Sequence, residues 1–155
     1  MSVIIIGIDP DSSKHGIAIY KDFKLTRLES WQLMDLYFYL KSIPSGNTVE
    51  CHIENVCGNN ATFAKSFVKN ARSQTTISRS LGMCQQAQAE LERAIEKAGV
   101  KFYQHKISKN WKDTKTGNKI LKDHFHWSGR SNEDTRSAAY FGYLGIKQWR
   151  LINQK

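Results

Sequence analysis

Three places in the chain put carboxylates where they could work together. Asp9 ends VIIIGID (residues 3–9), with Asp11 two residues on. Glu54 ends TVECHIE (48–54), and the adjacent Glu133 and Asp134 open EDTRSAAYFGYLG (133–145). A carboxylate at the mouth of an apolar strand is costly to desolvate unless a cation, a metal ion or water meets it. Three carboxylates at one point repel one another unless a divalent cation neutralises them, and oxygen-only donors suit Mg²⁺ or Mn²⁺. Asp9, Glu54 and Asp134 are therefore candidate ligands. Asp11 has two readings, a further acid facing the metal or a cap on the turn after the strand. Glu90, Glu92 and Glu96 have a plainer place on the polar side of a long helix, and Asp35 sits near a helix start, where the dipole favours it.

The elements must bring those acids to one point. VIIIGID reads as a buried strand; GIAIY (16–20) and LTRLESW (25–31) follow with partial alternation, which predicts a three-stranded meander. Leu33, Leu36, Tyr37 and Leu40 mark one helix face that stops before Pro44. In TVECHIENV, Val49, Cys51 and Ile53 alternate with Glu50, His52 and Glu54, a fourth strand. A helical region is expected from about Asn60, broken near Ser73. Its clearest part carries an apolar stripe of Met83, Ala87, Leu91, Ala94, Ile95 and Ala98, with Gly99 as the stop. VKFYQH predicts a fifth strand. A lysine-rich polar segment with Gly117 in a turn comes next, then a helix from 133 to about 150 capped by Ser131 or Asn132. The order β-β-β-α-β-α-β-α specifies an α/β fold with a mixed five-stranded sheet flanked by helices. If the first and fourth strands are neighbours, Asp9 and Glu54 converge at one end, and a helix across that end adds Asp134.

At 155 residues the chain is expected to form one domain spanning 1–155. No stretch reaches the roughly 20 apolar residues of a membrane span, and the N-terminus lacks a secretory pattern. Cys51, Cys57 and Cys84 are odd in number and lack metal-site spacing, which fits reduced, buried thiols in the cytoplasm. Twenty-three Lys and Arg against 14 Asp and Glu leave a net charge of +9. No acid lies between Glu54 and Glu90, where Lys65, Lys69, Arg72 and Arg79 fall; from Lys101 to Lys122 seven lysines accompany the single Asp113. Two separate basic stretches suit an extended polyanion, nucleic acid first.

Four segments carry a family resemblance. IIGIDPDSSKHGIAIY (5–20) resembles the opening I-x-G-I-D-P-G-x-x-x-x-G of RuvC-type Holliday junction resolvases, with Asp11 in place of one glycine and Gly16 at the other. HIENV (52–56) resembles the family's A-I-E-x-V strand, whose glutamate is catalytic. SLGMCQQAQAELE (80–92) is similar to the following helix, and EDTRSAAYFGYLG to the terminal D-A-x-x-I-A-x-x-G helix. The likeness runs through nearly the whole chain in order, and its size and divergence look like phage and viral members. It implies a ribonuclease H-like fold and a homodimer that binds four-way DNA junctions and nicks two strands symmetrically.

The resemblance implies two metal ions per active site, Mg²⁺ or Mn²⁺, with Asp9 bridging, Glu54 on one side and Asp134 on the other. The family offers two late ligands three residues apart on the last helix; this chain has adjacent Glu133 and Asp134, so Asp134 is favoured and Glu133 is the second choice. Functional lysines in the family's equivalent segment point to Lys112 and Lys119 near the scissile strand, with Lys109 and Lys115 as alternatives. The acid-free stretch, with Phe63, Lys65, Phe67, Lys69 and Arg72, is the expected junction contact, where one phenylalanine wedges into unstacked bases or both belong to the core. His124 and His126 either flank the site or lie on the surface. Competing readings are a looser branched-DNA or RNA–DNA hybrid nuclease, a non-catalytic DNA-binding module, and the phosphate-binding opening of actin-like ATPases and sugar kinases, which need far more chain.

Overall fold

The computed structural model describes residues 1–57 and 71–154, without the side chains of 71–74 and 77. Its sheet is built from β1 (Val3–Asp9), β2 (His15–Lys21), β3 (Lys24–Trp31), β4 (Thr48–Glu54) and β5 (Lys101–His105), in the order β3-β2-β1-β4-β5. The first three strands form the antiparallel meander. β1 pairs β4 in parallel and β4 pairs β5 in parallel, so the sheet is mixed. The helices are α1 (Leu33–Ser42), α2 (Ala71–Lys97), α3 (Thr114–Phe125) and α4 (Glu133–Asn153).

β1 lies in the middle of the sheet, and both of its faces are covered, which is why its sequence is apolar without alternation. Ile4, Ile6 and Ile8 point to one side. There they join Ile17, Ile19, Cys51 and Ile53 under Leu36 and Leu40 of α1 and Leu91 and Ile95 of α2. Ile5, Ala18, Tyr20, Leu25 and Leu28 face the other side, against Leu121 of α3 and Ala138, Ala139 and Ile146 of α4. Each isoleucine fully removed from water contributes about 1.5–3 kcal/mol.

α4 approaches the sheet at backbone distance. A Cβ at Gly7 would collide with the Ala138 carbonyl and the Gly142 amide, and one at Gly16 with the Asp134 carbonyl. The buried Tyr20 hydroxyl donates to the Ala139 carbonyl at 2.7 Å. Tyr20→Phe is expected to lower stability by roughly 1 kcal/mol, read as a lower urea midpoint with an unchanged slope.

Three sequence expectations change. α2 is continuous from Ala71 through Ser73 to Lys97, the part expected from about Asn60 lying outside the described residues, and Met83 is 53% exposed, because the buried stripe is Gln88, Leu91 and Ile95. Gly117 lies inside α3 rather than in a turn, because a side chain there would meet the Trp111 carbonyl and the Arg136 side chain. Cys57 is exposed and Cys84 half-buried; only Cys51 is buried, and all three are free thiols. Among the described residues no helix is long and apolar enough to cross a membrane.

Candidate active site

The parallel pairing of β1 with β4 decides the geometry. Ile8 pairs with Ile53, so the next residues, Asp9 and Glu54, leave the sheet side by side at the same edge. On the other side of β1, Asp9 pairs with Gly16 of β2, and Gly16 packs directly under the Asp134 backbone. The first turn of α4 is fixed there by Asn132, whose side chain accepts from the Thr135 amide at 2.8 Å, while the Thr135 hydroxyl oxygen accepts from the Asn132 amide at 2.9 Å. Three acids far apart in sequence thus arrive at one end of the sheet.

Asp9 is 5% exposed and Glu54 3%. Burial first, and then the neighbouring Glu54 carboxyl, push the Asp9 carboxyl up to about 7 against the opposing Lys112 ammonium and Ser137 hydroxyl. The Lys112 Nζ stands 3.8 Å from Asp9 Oδ2. Asp134 is half-buried and its carboxyl is also raised, first by burial, then by the charges of Asp9 and Asp11. Glu133 is exposed one residue before it.

The residues around the acids act as supports. His15, buried at the start of β2, accepts from the Asp11 amide at 3.2 Å, and its basicity is lowered by burial. Asp11 does cap its turn, accepting from the Ser12 amide at 2.6 Å, and it also adds negative charge near Asp134. Gln88 of α2, fully buried, accepts from the Val56 and Cys57 amides at 2.7 and 3.1 Å and so holds the chain leaving Glu54. Cys84, on the same helix, is kept protonated by burial and by the charges of Asp11, Asp9 and Asp134. None of His15, Gln88, Cys84 or Ser137 was singled out as a site residue from the sequence. For Ser137 a signal existed: it follows Asp134 by three residues, the spacing of one helical turn.

Of the expected lysines, Lys112 is the one brought to the acids. Lys119 lies exposed on α3, paired with Asp123 at 2.6 Å; Lys109 and Lys115 are exposed near the start of that helix. His126 is exposed at the end of α3, and His124 lines a separate cavity of about 510 Å³ with Phe23, Phe125 and Arg150. That cavity opens along α4 at Tyr143 to Arg150, roughly 14–24 Å from Asp134 at 1.5 Å per residue. Phe63, Lys65, Phe67 and Lys69, and the side chain of Arg72, lie outside the described residues.

The donor set suits a hard divalent cation. Asp9 Oδ2 is buried without a hydrogen-bond partner, and Asp9 and Glu54 cannot both ionise comfortably without a cation between them. Among the described residues no three His, Cys, Asp or Glu side chains stand close enough to hold an ion as they are placed. Asp9 and Glu54 are together, and Asp134 is their charged neighbour.

No protein-family model and no curated protein sequence matches the chain. Solved structures do. T. thermophilus RuvC in complex with a Holliday junction substrate superposes with a TM-score of 0.57 at 11% identity, over 96% of this chain and 95% of that one. The fold is RuvC-like. A second structure of Thermus thermophilus RuvC gives a TM-score of 0.55 at 11% identity over 96% of both chains. The mixed five-stranded sheet flanked by helices that the sequence predicts is thus the observed one, with the fold its RuvC neighbours share.

Proposed function

We propose that this protein is a divalent-metal-dependent endonuclease that resolves four-way DNA junctions by symmetric hydrolysis of two phosphodiesters. The observation that carries the reading is the meeting of Asp9 with Glu54 at the ends of two parallel strands, with Asp134 and Lys112 beside them. Asp9, Glu54 and Asp134 are the residues that would hold Mg²⁺ or Mn²⁺, two ions per site, with exposed Glu133 the alternative in the first turn of α4. When bound, such ions activate the attacking water and neutralise the leaving oxygen. Lys112 offers its ammonium to the scissile phosphate. Lys109, Lys115 and Lys119, exposed on one stretch, attract the flanking backbone and make binding salt-dependent. Lys65, Lys69, Arg72 and the two phenylalanines Phe63 and Phe67 are proposed junction contacts.

Symmetric cleavage asks for a homodimer. Exposed Met34 and Phe38 on α1 and Met83 on α2 support apolar faces for a second copy. In size and in divergence from the family's motifs the chain resembles phage members, and a phage-like resolvase would act in the host cytoplasm.

The test is a labelled immobile four-way junction incubated with Mg²⁺, alongside flaps, linear duplex and RNA–DNA hybrid. Paired nicks giving ligatable duplexes, lost with EDTA, are the expected result. Equal cutting of flaps or hybrid would point to the looser nuclease, and junction binding without Mg²⁺-dependent cutting to a DNA-binding module.

A further inference from the structure

Arg136, at the end of the first turn of α4, is 4% exposed and makes no close ion pair among the described residues, although its charge lowers the exposed Asp113 carboxyl. Its guanidinium is spent on neutral oxygens of one loop and its flanks. Nε donates to the Trp111 carbonyl at 3.1 Å, and one terminal nitrogen donates to the Lys112 carbonyl at 2.7 Å and to Thr114 Oγ1 at 3.3 Å. The other donates to Ser131 Oγ at 3.2 Å. A buried charge hydrogen-bonded only to backbone and hydroxyl oxygens is expensive to keep unless that loop must be held.

The loop it holds carries Lys112. Trp111 adopts a left-handed backbone, with φ of 65°, which a bulky residue takes up only at a cost of about 1–2 kcal/mol. Its ring is anchored among Phe125, Tyr140 and Tyr143, with centroids 5.4–5.6 Å away. The Lys112 amide closes a turn onto the Lys109 carbonyl at 3.3 Å. Gly117, in the next helix, is there because a side chain would strike both the Trp111 carbonyl and the Arg136 side chain. Ring, turn and guanidinium fix the backbone from three directions, and the Lys112 side chain leaves it toward Asp9, ending at 3.8 Å.

We infer that Arg136 is a positioning residue: it clamps the carbonyls of Trp111 and Lys112 so that the Lys112 ammonium is delivered to the carboxylate edge. The inference rests on the nuclease reading for its effect on cleavage, but the clamp itself is measurable without cleavage. It also explains a serine and a threonine at 131 and 114, which complete the guanidinium's set of acceptors. A lysine at 136 keeps the buried charge but not the planar fork that reaches two successive carbonyls.

Three single variants, Arg136→Lys, Arg136→Ala and Lys112→Met, and one double variant test it. The first keeps charge and most of the volume, so it remains informative should Arg136→Ala fail to fold. Arg136→Lys is expected to slow junction cleavage about a hundredfold through misplacement of Lys112, with junction affinity unchanged. The double variant Arg136→Lys/Lys112→Met should cut no more slowly than Lys112→Met alone. Added guanidinium ion should restore part of the rate to Arg136→Ala and none to Lys112→Met. In metal-free protein without DNA, amide exchange over residues 109–113 should quicken about tenfold in Arg136→Lys as the loop opens locally. Wild-type exchange in Arg136→Lys, or a double variant losing the product of the two single losses, overturns the inference. Should the wild-type protein leave every junction intact, the nuclease reading falls, and the exchange measurement alone decides whether the clamp exists.

Discussion

Asp9→Asn is expected to abolish the proposed Mg²⁺-dependent junction cleavage, a loss of more than about a thousandfold, and to make the metal-free protein more stable at pH 8. The two effects share one cause. The Asp9 carboxyl is raised from 3.8 to about 7 by burial and by Glu54, so the folded state holds that proton more tightly than the unfolded chain does. Stability is therefore highest below pH 4 as far as this group is concerned. It declines as pH rises from about 4 to about 7, and the full penalty, on the order of 4 kcal/mol, is present above that. The half-buried Asp134, also raised, acts in the same direction. An amide at position 9 carries no such penalty, so the melting temperature of Asp9→Asn should lose most of the downward slope between pH 4 and 7. Mg²⁺ should raise the melting temperature of the wild type at pH 8 and leave the variant unmoved, since only the wild type keeps the ligand that binding requires. A variant that melts like wild type across this range would show that Asp9 is not the strained acid of the site. A variant that still cuts junctions would remove it from the chemistry.

Gly7→Val is expected to prevent stable folding, a loss of more than about 4 kcal/mol, the size reserved for a few mechanisms such as overpacking against a rigid core. The added side chain has no flexible neighbour to displace. It meets the carbonyl of Ala138 and the amide of Gly142, both backbone, and Tyr20 already fills the space beside Gly142. α4 would have to lift off β1, and with it Ala138, Ala139 and the Tyr20 hydrogen bond would leave the core. Gly82→Ala is the contrast. Nothing lies within 4 Å of a Cβ there, in the interior of α2, so alanine should stabilise by roughly 0.5–1 kcal/mol. Urea unfolding of the two variants should therefore shift in opposite directions.

Much of the frame was legible because the pattern and the burial have the same period. Val49, Cys51 and Ile53 alternate with Glu50, His52 and Glu54, and the structure puts Cys51 and Ile53 under α1 and α2 with Glu54 on the opposite face. Asp9 and Glu54 were legible as strand-end acids for the same reason. α3 was not. Its lysines hide a modest apolar face at Leu121 and Phe125, and Gly117 reads as a turn until the Arg136 side chain is seen to need its space. Met83 belonged to a stripe by spacing, but the helix turns its buried side toward Gln88, a polar residue whose value lies in the Val56 and Cys57 amides it binds. Arg136 itself gave no signal: a lone arginine between acids and small residues looks like a solvated helix position, and only the fold shows four oxygens converging on it. Ser137 looks in sequence like one more small residue of the helix, and its hydroxyl faces Asp9.

The parallel contact between β1 and β4, closed over by α4, sets an order of events during synthesis. The ribosome makes Asp9 first and Asp134 late, and the helix bearing Asp134 docks only on a sheet whose first, second and fourth strands already exist. A nascent or prematurely ended polypeptide therefore carries Asp9, Glu54 and the lysine-rich stretch before Asp134 can join them at the end of the sheet.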